Sequence, residues 1–276
     1  MKNILVPTDF STCAISAGLM AIELARKSDA EIHFLHLMQT PVDWVKLPLE
    51  KEKQYPETKE KITHARNELN KLVQLAESKS IKAKAFLALD KGKEDIEEHI
   101  HTFGHDLLVM GSHGIKGIKE VIGSNTQKVI RYSEVPVLVV KKYAGEALPE
   151  NIVFASHFDE SYLGTFSKVL DIASLLKAKI HLLFVNTPDH FAATKVVEEN
   201  MLPFINLGKG LVFESHVYDC EYEEKGILDF ADTTSNSLIA LATEGRHGLA
   251  RIISPSLAEE LVNHADIPVL VIPHRS

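Results

Sequence analysis

The segment Val109-Met110-Gly111-Ser112-His113-Gly114 is followed, after eight intervening residues, by Gly123-Ser124. An apolar run ending at Met110 leads into a glycine loop, and the loop leads to a helix with a polar start. The chemistry that suits this arrangement is anion binding. Gly111 and Gly114 let a backbone approach a ligand closely. Ser124 with Gln127 three residues on has the capping-box pattern. Exposed amides at such a helix start, aided by the helix dipole, attract phosphate. A tight strand-to-helix turn with no ligand has the same spacing, so the loop alone does not decide. It is neither a P-loop, since no G-K-[ST] follows, nor the dinucleotide pattern G-x-G-x-x-G.

A second group stands at the end of the first apolar run, Pro7-Thr8-Asp9-Phe10-Ser11. A carboxylate at Asp9 can accept from a ribose hydroxyl or an exocyclic amine. The alternative is that Asp9 or Ser11 caps the helix starting near Cys13. A damaged copy of both groups lies in the second half of the chain. His157 stands where Asp9 stands in the first half, and Ala242-Thr243-Glu244-Gly245 and Ser254-Pro255 replace the glycine loop. Glu244 brings a negative charge, Ser254 adds a side chain, and Pro255 removes a backbone donor while still suiting a helix's first turn. The second half is therefore expected to hold no nucleotide phosphate; a site retuned for another ligand is the alternative.

Other groupings carry less. Ser112 and His113 are adjacent and make no triad, so binding rather than catalysis is expected. Ligands at i and i+4 share a helix face and those at i and i+2 do not. His99, His101 and His105 are accordingly read as surface histidines rather than a metal site. Cys13 is read as a buried small residue, Cys220 lacks an x-x-Cys partner, and Trp44 is read as local packing.

The elements that must position these groups alternate. Strand-like runs fall at 3–7, 31–37, 82–88, 106–110 and 136–140, with helical patterns at 12–27, 57–79, 93–103 and 124–133. Alternation implies parallel pairing with right-handed crossovers, and a doubly wound sheet places its site at the carboxyl ends of the central strands. The pattern recurs: Asn3-Ile4-Leu5-Val6 matches Asn151-Ile152-Val153-Phe154, and Val135-Pro136-Val137 matches Ile267-Pro268-Val269. The first half carries extra residues, most simply Gln39–Glu60. The expected fold class is α/β, two tandem doubly wound domains at 1–142 and 150–276, each a five-stranded parallel sheet flanked by helices. Pro136 and Pro268 place each last strand at a sheet edge. Two such edges can pair with each other across a pseudo-twofold axis; the alternative is that loops cap each.

The 276 residues are 45% hydrophobic and 25% charged, as in ordinary globular chains. A net charge of −8 argues against nucleic acid as a partner. Two cysteines suit a reducing compartment. The opening apolar run is short for a signal peptide, and no stretch approaches the ~20 apolar residues of a membrane span. The expectation is a cytoplasmic protein with no membrane partner.

Taken together, Ile4-Leu5-Val6-Pro7-Thr8-Asp9-Phe10-Ser11, His36-Leu37, Val109 to Gly114, Gly123-Ser124 and Pro136 to Val140 resemble the universal stress protein family. The first half resembles an intact member and the second a diverged one, so the whole resembles a tandem type. The resemblance implies an adenine nucleotide alpha hydrolase-like fold with strand order 3-2-1-4-5 and a stress-response, regulatory role. It implies an adenine nucleotide, ATP or AMP, in the first half, with Mg2+ accompanying the phosphates. Pro7, Thr8, Asp9 and Leu37 would surround adenine and ribose. Met110 ends the strand beneath them, Gly111 and Gly114 would line the ribose and phosphate path, and Gly123, Ser124 and Asn125 would hold the phosphates. In the family the gap between the second and third glycines is usually one residue longer. The shortened loop implies weaker ATP binding or a smaller ligand such as AMP. At most slow ATP hydrolysis is expected. A scaffold of the same fold, acting through protein contacts without nucleotide, is the alternative, and a homodimer of two such chains is left open.

Overall fold

The computed structural model describes residues 1–90, 96–112, 123–145, 147–244 and 255–274. The first half runs β1 (Asn3–Pro7), α1 (Thr12–Ser28), β2 (Glu31–Gln39), α2 (Pro56–Ser78), β3 (Ala83–Asp90), α3 (Ile96–Phe103), β4 (Leu107–Gly111), α4 (Ser124–Tyr132) and β5 (Val137–Val140). The second half repeats it: β6 (Asn151–Ala155), α5 (Leu163–Leu176), β7 (Lys179–Asn186), α6 (Thr194–Leu207), β8 (Phe213–Asp219), α7 (Glu223–Thr233), β9 (Ser237–Glu244), α8 (Pro255–His264) and β10 (Val269–His274). Ile4, Leu5, Val6 and the whole of β4 are buried because helices cover both sheet faces.

All ten strands form one sheet, ordered β3-β2-β1-β4-β5-β10-β9-β6-β7-β8. Each half therefore has the order 3-2-1-4-5, parallel throughout, and the halves join by the single antiparallel pair β5–β10. Its register is Val137↔Val271, Leu138↔Leu270 and Val139↔Val269. Because Val137 corresponds to Val269 and Val139 to Val271, the pairing is self-complementary about Leu138–Leu270, as in an isologous contact. The two prolines hold equivalent places, the Pro136 and Pro268 carbonyls accepting from Leu108 N and Ile239 N at 2.9 and 3.0 Å.

Two apolar layers run across the junction. One packs α1, α2, α5 and α6 on one face, with Met20, Leu69, Phe166 and Phe204 inside it. The other packs α3, α4, α7 and α8 on the opposite face, with Ile100, Ile130, Ile227 and Leu261 inside it. Arg131 on α4 grips Glu259 on α8 through two guanidinium nitrogens, fastening the halves at that face.

The extra residues of the first half are divided rather than confined to Gln39–Glu60. Part forms the 40–55 link with its 3-10 turn Leu49–Gln54, and part lengthens α2, which has 23 residues against 14 in α6. Pro56 starts α2 at a position where a missing N–H costs nothing. Trp44 lies against Tyr55 within this link, ring centroids 6.4 Å apart.

Candidate functional site

The crevice forms where β1 and β4 end side by side and the chain leaves in opposite directions. At the end of β1, Thr8 is buried, and its amide donates to the Leu35 carbonyl at 2.8 Å. Its hydroxyl accepts from Phe10 N at 3.1 Å, and Asp9 Oδ1 accepts from Ser11 N at 3.0 Å. These two bonds hold Phe10 at a φ of 64°, a left-handed conformation rare for a bulky residue. The turn presents half-buried Asp9 at the crevice rim. Ser11, not Asp9, caps α1, its hydroxyl accepting from Ala14 N at 3.3 Å.

Two further residues brace this turn. His36 Nδ1 donates to the Thr8 carbonyl at 2.7 Å, and its ring lies on Phe10 with centroids 4.6 Å apart. The left-handed Phe10 creates this contact, and local sequence does not announce it. Leu37, next on β2, is half-buried against the second apolar layer.

At the end of β4, Met110 and Gly111 are buried. A Cβ on Gly111 would stand 2.8 Å from Ala14 N and from the Cys13 carbonyl carbon, and 2.9 Å from Cys13 Cβ. Gly111 is thus required by the packing of the first turn of α1 onto β4, whatever it also does for a ligand. Cys13 is half-buried beneath it. Ser112, fully buried, accepts from Gly123 N at 3.0 Å, and Thr126 Oγ1 donates to the Gly111 carbonyl at 3.1 Å. These bonds bring the start of α4 against the end of β4.

The capping-box reading of Ser124 and Gln127 is corrected here. Gly123 is the N-cap, Ser124 is the first helical residue, and Gln127 N donates to the Gly123 carbonyl at 3.0 Å. Glycine has no side chain with which to cap, and α4 has no side-chain cap. Among the described residues no side chain caps its first-turn amides, which suit an external acceptor. The backbone of Ser124 and Asn125 lies in this first turn. Gly114 falls outside the described residues.

Lys141, directly after β5, was not anticipated from sequence. It is half-buried, its ammonium donates to the Asn263 carbonyl near the end of α8, and burial lowers its pKa. It ties the floor beside Gly111, which pairs with Val140, to the second half.

The second-half crevice keeps the first turn and changes side chains beside it. Ser156 Oγ accepts from Phe158 N at 3.1 Å, and Phe158 has a φ of 59°. Here the phenylalanine is buried among Phe154 and Phe204. His157, in the place of Asp9, stacks on His190 with centroids 5.1 Å apart and Nε2 3.2 Å from Glu223 Oε1. Pairing of β9 with β10 runs through Thr243 and Glu244, two residues beyond the point where β4 leaves β5. Pro255 begins α8; Gly245 and Ser254 lie outside the described residues.

The sequence model of the universal stress protein family matches residues 1–141 and 207–273. The chain belongs to the universal stress protein family. Universal stress protein MJ0531 of Methanocaldococcus jannaschii is 30% identical over 142 residues, covering 51% of this chain and 82% of that protein. Universal stress protein MJ0577 of the same organism is 30% identical over 154 residues, covering 51% of this chain and 95% of that protein. A universal stress protein of Archaeoglobus fulgidus matches along the full length, covering 99% of this chain and 98% of its own. Its TM-score is 0.72 at 19% identity, a likeness of fold. The two matched segments agree with a tandem universal stress protein arrangement. No helix among the described residues is long and apolar enough to cross a membrane.

Proposed function

We propose that the chain is a regulatory, stress-response protein that binds one adenine nucleotide, ATP or AMP, in a first domain spanning 1–142. The second domain, 150–276, binds none. The observation that carries this reading is the start of α4. Its amides lack a side-chain cap and stand beside the end of β4, in the same crevice as Asp9. Phosphates take the first-turn amides of Ser124 and Asn125, and Gly123, with no side chain, lets them approach. Asp9, Pro7, Thr8 and Leu37 meet the ribose and base, and Gly111 and Gly114 line the path between. Mg2+ arrives on the phosphates, held mainly by their oxygens and water. Both cysteines are free thiols, which suits a cytoplasmic protein.

Among the described residues the site supplies binding groups and no base positioned on a nucleophile, and the output we propose is a change of state. A ligand shifts an equilibrium only by its differential affinity for two states. The start of α4, beside the end of β4, is the element whose state the phosphates set. The second reading is a scaffold acting through protein contacts alone. The observation favouring it is that His157, in the place of Asp9 in the second crevice, already engages His190 and Glu223.

Analysis by mass of nucleotide released from the purified full chain, followed by calorimetric titration with ATP and AMP, tests the proposal. About one adenine nucleotide per chain is expected. Two per chain overturns the assignment of an inactive second site, and none at millimolar ligand leaves the scaffold reading.

A further inference from the structure

At the opposite pole of the sheet from the crevice, near the amino ends of the strands, His33 converges with His99 and His105, some seventy residues further along the chain. His33 on β2 and His105 before β4 are 4% and 5% exposed, and His99 on α3 is half-buried. The reading of His99 and His105 as surface residues is therefore corrected; only His101 of that trio is exposed. Helical spacing missed the site because its ligands come from three elements rather than one. One ring nitrogen from each of His33, His99 and His105 lies within 4.8 Å of the others. Zn–N bonds of 2.0–2.1 Å in a tetrahedral site need nitrogens about 3.3 Å apart, so closing on an ion takes at most about 1.5 Å.

The hydrogen bonding is frustrated without a cation. Glu31 Oε1 accepts from His33 Nε2 at 3.2 Å, so His33 Nδ1 carries a lone pair. His105 Nε2 lies 3.0 Å from that lone pair. Protonated on Nε2, His105 satisfies His33 but leaves its own buried Nδ1 without a donor. Protonated on Nδ1, it sets two lone pairs against each other. The carbonyls of Ile100 and His99 stand near the His105 ring, yet no hydrogen bond to Nδ1 is completed. His99 Nε2 is also buried without a hydrogen-bond partner among the described residues.

We propose that His33, His99 and His105 form a binding site for one divalent first-row transition ion of the zinc class. The Glu31 carboxylate orients His33, the familiar carboxylate–histidine–metal arrangement. Phe86 and Phe103 pack around the three imidazoles, with ring centroids 4.5 to 5.5 Å from His33 or His99, and supply an apolar shell. Burial holds the pKa of His99 and of His105 down to about 4, so both rings are neutral near pH 7. Lys84 Nζ lies 2.7 Å from Glu31 Oε1, and the shared carboxylate offsets its charge.

The second half holds a partial counterpart. His181 corresponds to His33, the two pairing with Val153 and Leu5, and His181 Nδ1 lies 3.1 Å from His216 Nε2. Its third group is exposed Glu214, which is already engaged by Lys179 at 2.7 Å. It is the control.

The test uses the full chain, stripped with a chelator and free of nucleotide. Titration with Co2+ is expected to give the visible d–d bands of a nitrogen-ligated site, saturating at one ion per chain and abolished by Zn2+. In competition with a chromophoric chelator, His99→Ala and His105→Gln each weaken Zn2+ about 100-fold or more. Glu31→Gln, removing only the orienting carboxylate, weakens it about 10–100-fold. His181→Gln leaves it unchanged. Urea unfolding is followed for each variant; if His105→Gln does not fold, half-buried His99→Ala decides. Absence of the bands, unchanged affinity in His99→Ala, or loss of the ion in His181→Gln each overturns the proposal.

Discussion

Thr8 to Phe10 and Ser156 to Phe158 make the same turn, with a hydroxyl accepting from the amide two residues on and a left-handed phenylalanine. The crevices around these turns nevertheless differ in kind. In the first, a carboxylate stands at the rim, a glycine lies beneath α1, and a glycine opens α4. In the second, an imidazole pair with a carboxylate takes the rim, alanine replaces the first glycine, and β9 stays paired with β10 past the branch point. The 3-10 turn Glu160–Tyr162 also replaces the first turn of the helix that crowds Gly111 in the first half. The comparison teaches that a doubly wound fold keeps its backbone turn for packing reasons while the ligand groups on it are free to change. A shared fold is evidence about the turn, and only the side chains are evidence about the ligand.

The sharpest way to break the contrast is at the start of α4. Gly123→Val is expected to weaken the nucleotide about 10–100-fold, the worth of hydrogen bonds to a charged phosphate. Gly123→Ser, which imports the residue of the second half, should weaken binding too while leaving the helix at least as stable, because serine caps amides that the phosphate needs. Calorimetric titration with urea unfolding separates the two effects, and unaltered affinity in both variants removes α4 from the site.

Gly111→Val comes next. Its side chain meets backbone rather than a movable side chain, so about 1–3 kcal/mol of stability should be lost. Ala242→Gly, the reverse exchange, should stay within about 1 kcal/mol. Equal losses would mean that the two β–α junctions pack alike after all. Asp9→His, importing the rim of the second crevice, is expected to lower affinity roughly tenfold with little change in the urea midpoint.

A pH series in chelator probes the opposite pole. The folded pKa of His99 and of His105 is about 4, below the ordinary histidine value near 6.5. Between those values the unfolded chain binds more protons, so stability is full above about pH 6.5 and falls as pH drops toward 4. His105→Gln should flatten that fall in the urea midpoint; an unchanged slope would place the acid sensitivity elsewhere. Smallest of all, Thr8→Ala and Ser156→Ala should each cost about 0.5–1.5 kcal/mol, similar in the two halves because the turn is common to both.

Most of the architecture was legible in the sequence. Strands 3–7 and 136–140 and helices 12–27 and 124–133 agree with the structure to within a residue or so, because β-branched runs and helical periodicity are local signals. The internal repeat made the two edge strands visible, and self-complementary registers are what a repeat produces. Less local features were not legible. Gly123 rather than Ser124 caps α4 because the Ser112 carbonyl captures the Gly123 amide from across the loop. The contact of the left-handed Phe10 with His36 depends on β2, which brings the histidine from outside the turn. His99 and His105 turn inward because His33 waits beneath them on another strand.

Residue type and spacing by themselves determined that this chain folds twice into the same α/β pattern, with an intact glycine motif in one copy and an altered one in the other. Tertiary structure decided which atoms meet: Gly111 against α1, the uncapped start of α4 against β4, and three histidines around one point. Periodicity records which face of an element is buried. Encounters between elements far apart in sequence depend on strand order and register, and these are settled only when the sheet closes its layers.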